Sequence, residues 1–351
     1  MYQIPNLTSL RFILALLVVL FHTPEFFANR SLPYYNNTLF LKGNESVWMF
    51  FSLSGFLIVR KLFGEKIKTN SINLKRFFLN RIYRIFPLYY LVLIYGFIHY
   101  QIILPKLGFQ FENSYNILEG ILLSVTFFSN IFLTYSPGGI IEILWSIGIE
   151  EQFYLAIAPL FYFLPKSKLK TTLILLTVVF LLLFISNTFP LLKAYKMYFF
   201  FFTFSGLCSV YFEKTNFNNL FSNLIYLTTL MYLFSNLFKI NLNENEYYIF
   251  SMILFGLFLT VLSKKPIFIL ENQTLKYLGT ISYGIYMFHA IAMQIVGLVY
   301  IKLQIENKTP SYLYILSYTF LIIFLTIIMA HLSYKYYESY FLKFKKPTTH
   351  E

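Results

Sequence analysis

Long apolar runs separated by short polar tracts give this chain its pattern. The runs fall near 7–28, 46–62, 83–104, 143–164, 170–189, 195–212, 220–239, 246–263, 276–301 and 311–335. A helix that crosses about 30 Å of hydrocarbon needs about 20 mostly apolar residues. Inside a bilayer the backbone must satisfy its own hydrogen bonds, which an α-helix does along its length. The pattern therefore predicts an all-α fold, a polytopic membrane helical bundle with about ten transmembrane helices. An eleventh run, 115–134, is weaker because it carries Glu119, Ser124, Thr126, Ser129 and Asn130.

Charge placement decides how that eleventh run is read. Ten spans with a cytoplasmic N-terminus put 20 of the 28 Lys and Arg on the inner side, whereas an eleventh crossing evens the split to 14 and 14. Cytoplasmic loops carry the excess of basic residues in membrane proteins. The expectation is a multi-pass protein of the cell inner membrane with both termini cytoplasmic, and with 115–134 re-entrant or interfacial. The longest polar stretches are Arg30 to Asn44 outside and Gly64 to Leu74 inside, and no internal repeat is evident, so the chain reads as one domain over 1–351. The first run lacks a basic leader and a small-residue cleavage site, since Pro24-Glu25-Phe26-Phe27 follows it. It reads as a retained span rather than a signal peptide.

Composition agrees with lipid. The chain is 58% hydrophobic and 12% charged, with mean hydropathy +0.63, against about 45–50% and about 25% for soluble domains. The net charge of +13 sits in short tracts between apolar runs, so it points to membrane lipid and not to nucleic acid. Cys208 is the single cysteine, which rules out an intramolecular disulfide and a cysteine zinc site. It is expected to be a packing residue, and no metal site is predicted.

Ionisable side chains inside spans are costly and usually face a bundle interior or an aqueous cavity. Arg11 and His22 lie eleven residues apart, about three helical turns and ~16 Å of rise, so they share a helix face. They are either a snorkelling Arg and a core His or a functional pair. Arg81 and Arg84 project side by side at i, i+3 with Lys75 and Arg76 close in sequence. That cluster suits bidentate phosphate binding and equally suits a basic tract touching anionic lipid. Ser146, Glu150 and Tyr154 are spaced by four and line one face, and Glu150 and Glu151 are adjacent carboxylates near the start of a span. A structural pair with Arg is the plain reading of such a carboxylate. Gly279, Ser282 and Gly284 allow close helix packing. His289 reads as a buried structural His, and His331 and Glu338 in the last run read as similar structural groups, Glu338 near the inner end as a partner for a basic residue, while His99 and His350 receive no role.

Taken in order, these features resemble the acyltransferase-3 family of multi-span membrane acyltransferases, which includes enzymes that O-acetylate bacterial polysaccharides. The resemblance rests on Arg11 and His22, Phe50-Phe51-Ser52-Leu53-Ser54-Gly55-Phe56-Leu57-Ile58, Arg81-Ile82-Tyr83-Arg84-Ile85-Phe86-Pro87, Trp145 through Tyr154, and Ile281-Ser282-Tyr283 through His289. They span nearly the whole chain. Ser9, Phe12 and Glu338-Ser339 depart from the family pattern, so no role is carried to Glu338.

The resemblance implies a donor, an acceptor and roles. The donor is acetyl-CoA or another cytosolic acyl-CoA, as a substrate. The acceptor is a hydroxyl of a cell-surface glycan or lipid-linked saccharide. Arg81 and Arg84 are expected to hold the donor phosphates, with Arg11 helping to place it. His22 is the preferred general base, since imidazole titrates near neutral pH, acting by direct deprotonation or as a transient acyl carrier. Glu150 would orient His22 or neutralise an Arg. The alternative function is a transporter or flippase of a lipid-linked or capsular saccharide, which would turn over no acyl-CoA.

Overall fold

The structure is a computed structural model that describes residues 6–29, 34, 41–109, 115–186, 188–305 and 311–345. Most of the polar stretch Arg30 to Asn44, together with Lys346 and His350, lies outside the described residues. Among the described residues there are helices and turns and no strand.

The helices include α1 (Leu7–Ala28), α2 (Gly43–Thr69), α3 (Leu74–Ile98), α4 (Ile117–Val125), α5 (Ser129–Phe132), α6 (Gly139–Glu142), α7 (Trp145–Phe163), α8 (Leu169–Ile185), α9 (Phe199–Tyr211), α10 (Asn219–Phe234), α11 (Glu244–Leu262), α12 (Gln273–Thr280), α13 (Ser282–Leu303) and α14 (Ser311–Leu332), with shorter helical turns between some of them. Six helical stretches are long and apolar enough to cross a membrane: Leu7–Ala28, Gly43–Thr69, Leu74–Lys106, Glu244–Leu262, Ser282–Leu303 and Tyr312–Leu342. Leu169–Ile185, Phe199–Tyr211 and Asn219–Phe234 are apolar but shorter. The chain is thus a multi-pass helical membrane protein with helix at every predicted apolar run, but the predicted spans 143–164, 170–189, 195–212 and 220–239 are not among these six.

Helix ends follow side-chain chemistry. Asn73, Asn116, Asn218 and Asn272 each accept a hydrogen bond from a backbone N–H of the first turn they cap, satisfying a donor the helix itself leaves unpaired. α2 and α3 run beyond their apolar runs because Lys- and Arg-rich ends continue the helix into the polar turn. There Glu65 accepts from the Arg76 guanidinium at 2.8 Å and from the Asn73 amide at 3.0 Å, closing the turn.

The run 115–134 is not one helix. It splits into α4 and α5 around Phe127, whose φ is 63°. Nine residues of helix rise only about 13 Å, so neither piece crosses 30 Å of hydrocarbon. The break is held by side chains of α3 and α7: Tyr89 donates its hydroxyl to the Ser124 carbonyl at 2.7 Å, and the Gln152 side-chain amide donates to Phe127 O at 2.9 Å and Asn130 Oδ1 at 2.8 Å.

The chain divides into two compact units. One comprises Met1–Phe50, Asn218–Tyr247 and Val261–Ser339. In it α1 packs on α12 and α13, and α13 on α14. Gly279 makes the first of these contacts possible, since a Cβ there would lie 1.9 Å from the Thr8 carbonyl oxygen. Asn6 ties the same corner together through Glu271, which also accepts from Lys276 Nζ at 2.6 Å. The bonded Lys276 holds the Glu271 carboxyl below the usual carboxylate range. A separate polar knot in this unit holds Lys42 over the Tyr232 ring at 5.2 Å, while the Tyr247 hydroxyl donates to Glu45 at 2.9 Å. Burial pulls the Lys42 ammonium below its ordinary range, and the nearby Glu45 opposes that.

The other unit comprises Phe51–Phe217, Tyr248–Thr260 and Tyr340–Glu351. There α8 packs on α9, joined by a 2.9 Å bond from Thr177 to Thr203, and α3 packs on α6 and α7. Cys208 is buried in this unit, as expected. Across both units the side chains follow the pattern lipid asks for. Ser9, Thr177, Thr203 and Ser205 are buried, while Leu220, Leu224, Leu227 and Leu230 form an exposed stripe along α10, and Leu316 and Phe320 are exposed on α14. Such a stripe would be an aggregation hazard in water; against acyl chains it is at home.

Candidate functional site

The polar motifs gather in two places, one in each unit. In the first, α1 brings His22 to the upper part of a helix that continues past Pro24 to Ala28. The His22 ring stacks on His289 of α13 with centroids 5.3 Å apart and planes 29° from parallel. Phe21 meets the His22 ring edge-on at 5.1 Å. His289 is fully buried, and its Nδ1 lies 2.5 Å from the Tyr286 carbonyl oxygen. A carbonyl can only accept, so Nδ1 of His289 carries the hydrogen. Its Nε2 is buried without a hydrogen-bond partner. His22 itself is about one-third exposed, and its Nδ1 lies 3.1 Å from Glu25 Oε2. Arg11 is half-buried three turns earlier on the same helix. On α14 and its continuation, Ser333 donates to the buried Glu338 at 3.0 Å, and His331 pairs with the Tyr277 hydroxyl.

The second gathering joins three motifs inside the other unit. Tyr154 of α7 sits at its centre. Its hydroxyl donates to Glu150 Oε2 at 3.0 Å and pairs with the Ser54 hydroxyl of α2. The Arg81 guanidinium of α3 lies over the Tyr154 ring at 4.9 Å and over Phe77 at 5.7 Å. Glu151, one residue on, is buried with Oε1 lacking a hydrogen-bond partner, and Arg81 is the cation acting on it. Gly55, next to Ser54, lets α2 meet the α9 backbone: a Cβ there would lie 2.1 Å from the Phe202 carbonyl oxygen. Trp145 starts the same α7 with the Lys196 ammonium 4.7 Å from its ring. Arg84 is half-buried one turn beyond Arg81. Arg76 of the basic tract is committed to Glu65, at the edge of a recess of about 500 Å³ lined also by Thr69, Asn73 and Leu74. Among the described residues no group of three or more His, Cys, Asp or Glu could hold a metal ion.

The helical spacing of Glu150 and Tyr154 thus places them on one face, and the bond between them follows from it. Sequence reasoning missed the approach of His289 to His22, because nothing in the long stretch of chain between them encodes it. It also missed Glu25, which was legible: a carboxylate at i+3 from an imidazole on a helix is its neighbour.

A family described as Acyltransferase domain matches residues 4–331. An uncharacterized protein of Haemophilus influenzae is 32% identical over 146 residues, covering 39% of this chain and 56% of its own length. The peptidoglycan O-acetyltransferase OatA of Listeria monocytogenes is 30% identical over 184 residues, 50% of this chain and 27% of that protein. ORF330 of Acidianus two-tailed virus, which its name proposes as an acetyltransferase, is 28% identical over 315 residues, 86% of this chain and 87% of its own. No solved structure matches the chain.

Proposed function

This chain belongs to the acyltransferase domain family, and from that premise we propose that it transfers an acyl group, acetyl foremost, from a cytosolic acyl-CoA to a hydroxyl of a cell-surface or lipid-linked glycan. The observation that carries the reading is the setting of His22. An imidazole inside an apolar helix is expensive unless it faces an interior or an aqueous cavity. This one is partly exposed, is stacked on a second imidazole, and meets a carboxylate through Nδ1.

His22 is the general base in this reading. It takes the proton of the acceptor hydroxyl as that oxygen bonds to the thioester carbonyl carbon. The carbon–sulfur bond then breaks, and the proton passes to the departing thiolate, so the ring ends neutral. Arg81 and Arg84 bind the donor phosphates, with Arg11 assisting. Glu150 and Glu151 serve the arginine, balancing the Arg81 charge from the α7 side. A glycan acceptor is supported by the peptidoglycan O-acetyltransferase among the relatives, and a membrane setting by the six long apolar helices.

The test is acyl transfer from labelled acetyl-CoA to extracted surface glycan by membranes carrying a His22→Ala protein inserted at normal abundance. Loss of a general base lowers turnover by about 10²–10⁴-fold. Activity near that of the unaltered chain would remove His22 from the chemistry. No turnover of acetyl-CoA by the unaltered chain would favour a saccharide flippase.

A further inference from the structure

An imidazole base has two nitrogens, and only the one left without hydrogen takes a proton. Around His22 the choice turns on what each nitrogen meets. Nδ1 faces Glu25 Oε2 at 3.1 Å, one helical turn along α1. An ionised carboxylate accepts and does not donate, so the contact is satisfied when Nδ1 carries the hydrogen. Nε2 is then the lone pair. The face of the ring is held separately, by the stack on His289, whose own Nδ1–H is spent on the Tyr286 carbonyl. One contact chooses the nitrogen and the other holds the plane.

We propose that Glu25 is the positioning residue of this enzyme: it locks His22 in the Nδ1–H form, presents Nε2 to the acceptor hydroxyl, and steadies the imidazolium that forms when Nε2 takes the proton. The proposal rests on His22 being the base. Glu25 keeps its charge throughout; the proton moves from hydroxyl to Nε2 and then to the leaving thiolate, and none is transferred to the carboxylate. A buried carboxylate in this position contributes up to about 10⁴-fold to turnover in serine proteases. Glu25 is 57% exposed, so water screens it and the effect here is smaller.

The experiment compares the full-length unaltered chain with Glu25→Gln, Glu25→Asp and His22→Ala in membranes, reading kcat and donor KM with acetyl-CoA, together with nitrogen-15 spectra of histidine-labelled unaltered protein. Glu25→Gln should lower kcat roughly 10–100-fold with donor KM within about twofold, and Glu25→Asp should recover most of the loss. The spectra should show His22 with hydrogen on Nδ1. Three results overturn the proposal while sparing the base: full kcat in Glu25→Gln beside an inactive His22→Ala, a raised donor KM without loss of kcat, or a His22 spectrum with hydrogen on Nε2. An active His22→Ala removes the base and the positioning role together. The spectrum of the unaltered chain decides even where a variant fails to insert.

Discussion

Tyr154 joins a ring function to a hydroxyl function, and substitution can separate them. Its ring carries the Arg81 guanidinium at 4.9 Å, while its hydroxyl links Ser54 and Glu150. A cation over an aromatic ring is worth about 0.5–2 kcal/mol, which corresponds to roughly 2–30-fold in a binding constant. If Arg81 and Arg84 hold the donor, Arg81→Ala with Arg84→Ala should raise donor KM at least as much as it lowers kcat. Tyr154→Leu should raise donor KM several-fold, and Tyr154→Phe, which keeps the ring, should raise it far less. Initial rates over a range of acetyl-CoA concentrations check this, and equal effects of Phe and Leu would assign the role to the hydroxyl. The identity of these residues was legible from sequence, because charge inside an apolar run stands out. Their partners were not. The resemblance left Glu150 two roles, and the bond from Tyr154, whose ring carries Arg81, is what supports the arginine-balancing one in our proposal.

Among the elements, the apolar runs located helices well and their ends poorly. Lipid cost registers the apolar middle of a helix, but backbone hydrogen bonding carries α2 to Thr69 and begins α3 at Leu74, where hydropathy is silent. The run 276–301 hides a break at Ile281 between α12 and α13, because both sides of the turn are apolar and small. The glycines of that corner were read as packing residues, and Gly279 shows why. With little hydrophobic drive between helices in lipid, close backbone approach supplies the contact, and here the approach to Thr8 leaves no room for a methyl group. Overpacking of this kind costs about 1–3 kcal/mol. Gly279→Ala should therefore lower the thermal midpoint of the detergent-purified protein by several degrees. Gly64→Ala, on open surface where a Cβ meets nothing within 4 Å, should hold or slightly raise it, since alanine is the better helix former. The opposite order would mean that α1 and α12 do not rely on this contact.

For the whole molecule, the side of the membrane that each loop occupies turns on 115–134. The basic-residue count favours a segment that does not cross, and the split into α4 and α5 supplies an independent physical reason: a nine-residue helix followed by a left-handed residue cannot bridge the hydrocarbon. If it does not cross, every loop after it keeps the side that the count assigned. With ten spans and a cytoplasmic N-terminus, the arrangement the count proposes, Lys264 then lies on the cytoplasmic side and Lys302 on the outer side; if it does cross, both exchange. The chain lends itself to the measurement, because Cys208 is its single cysteine and is buried. In a Cys208→Ser background, Lys302→Cys should react with a membrane-impermeant maleimide on intact cells, and Lys264→Cys should react only after the membrane is opened. The reverse pattern would make 115–134 a crossing segment and move the C-terminus outside. The same two positions fix the side on which α13 ends.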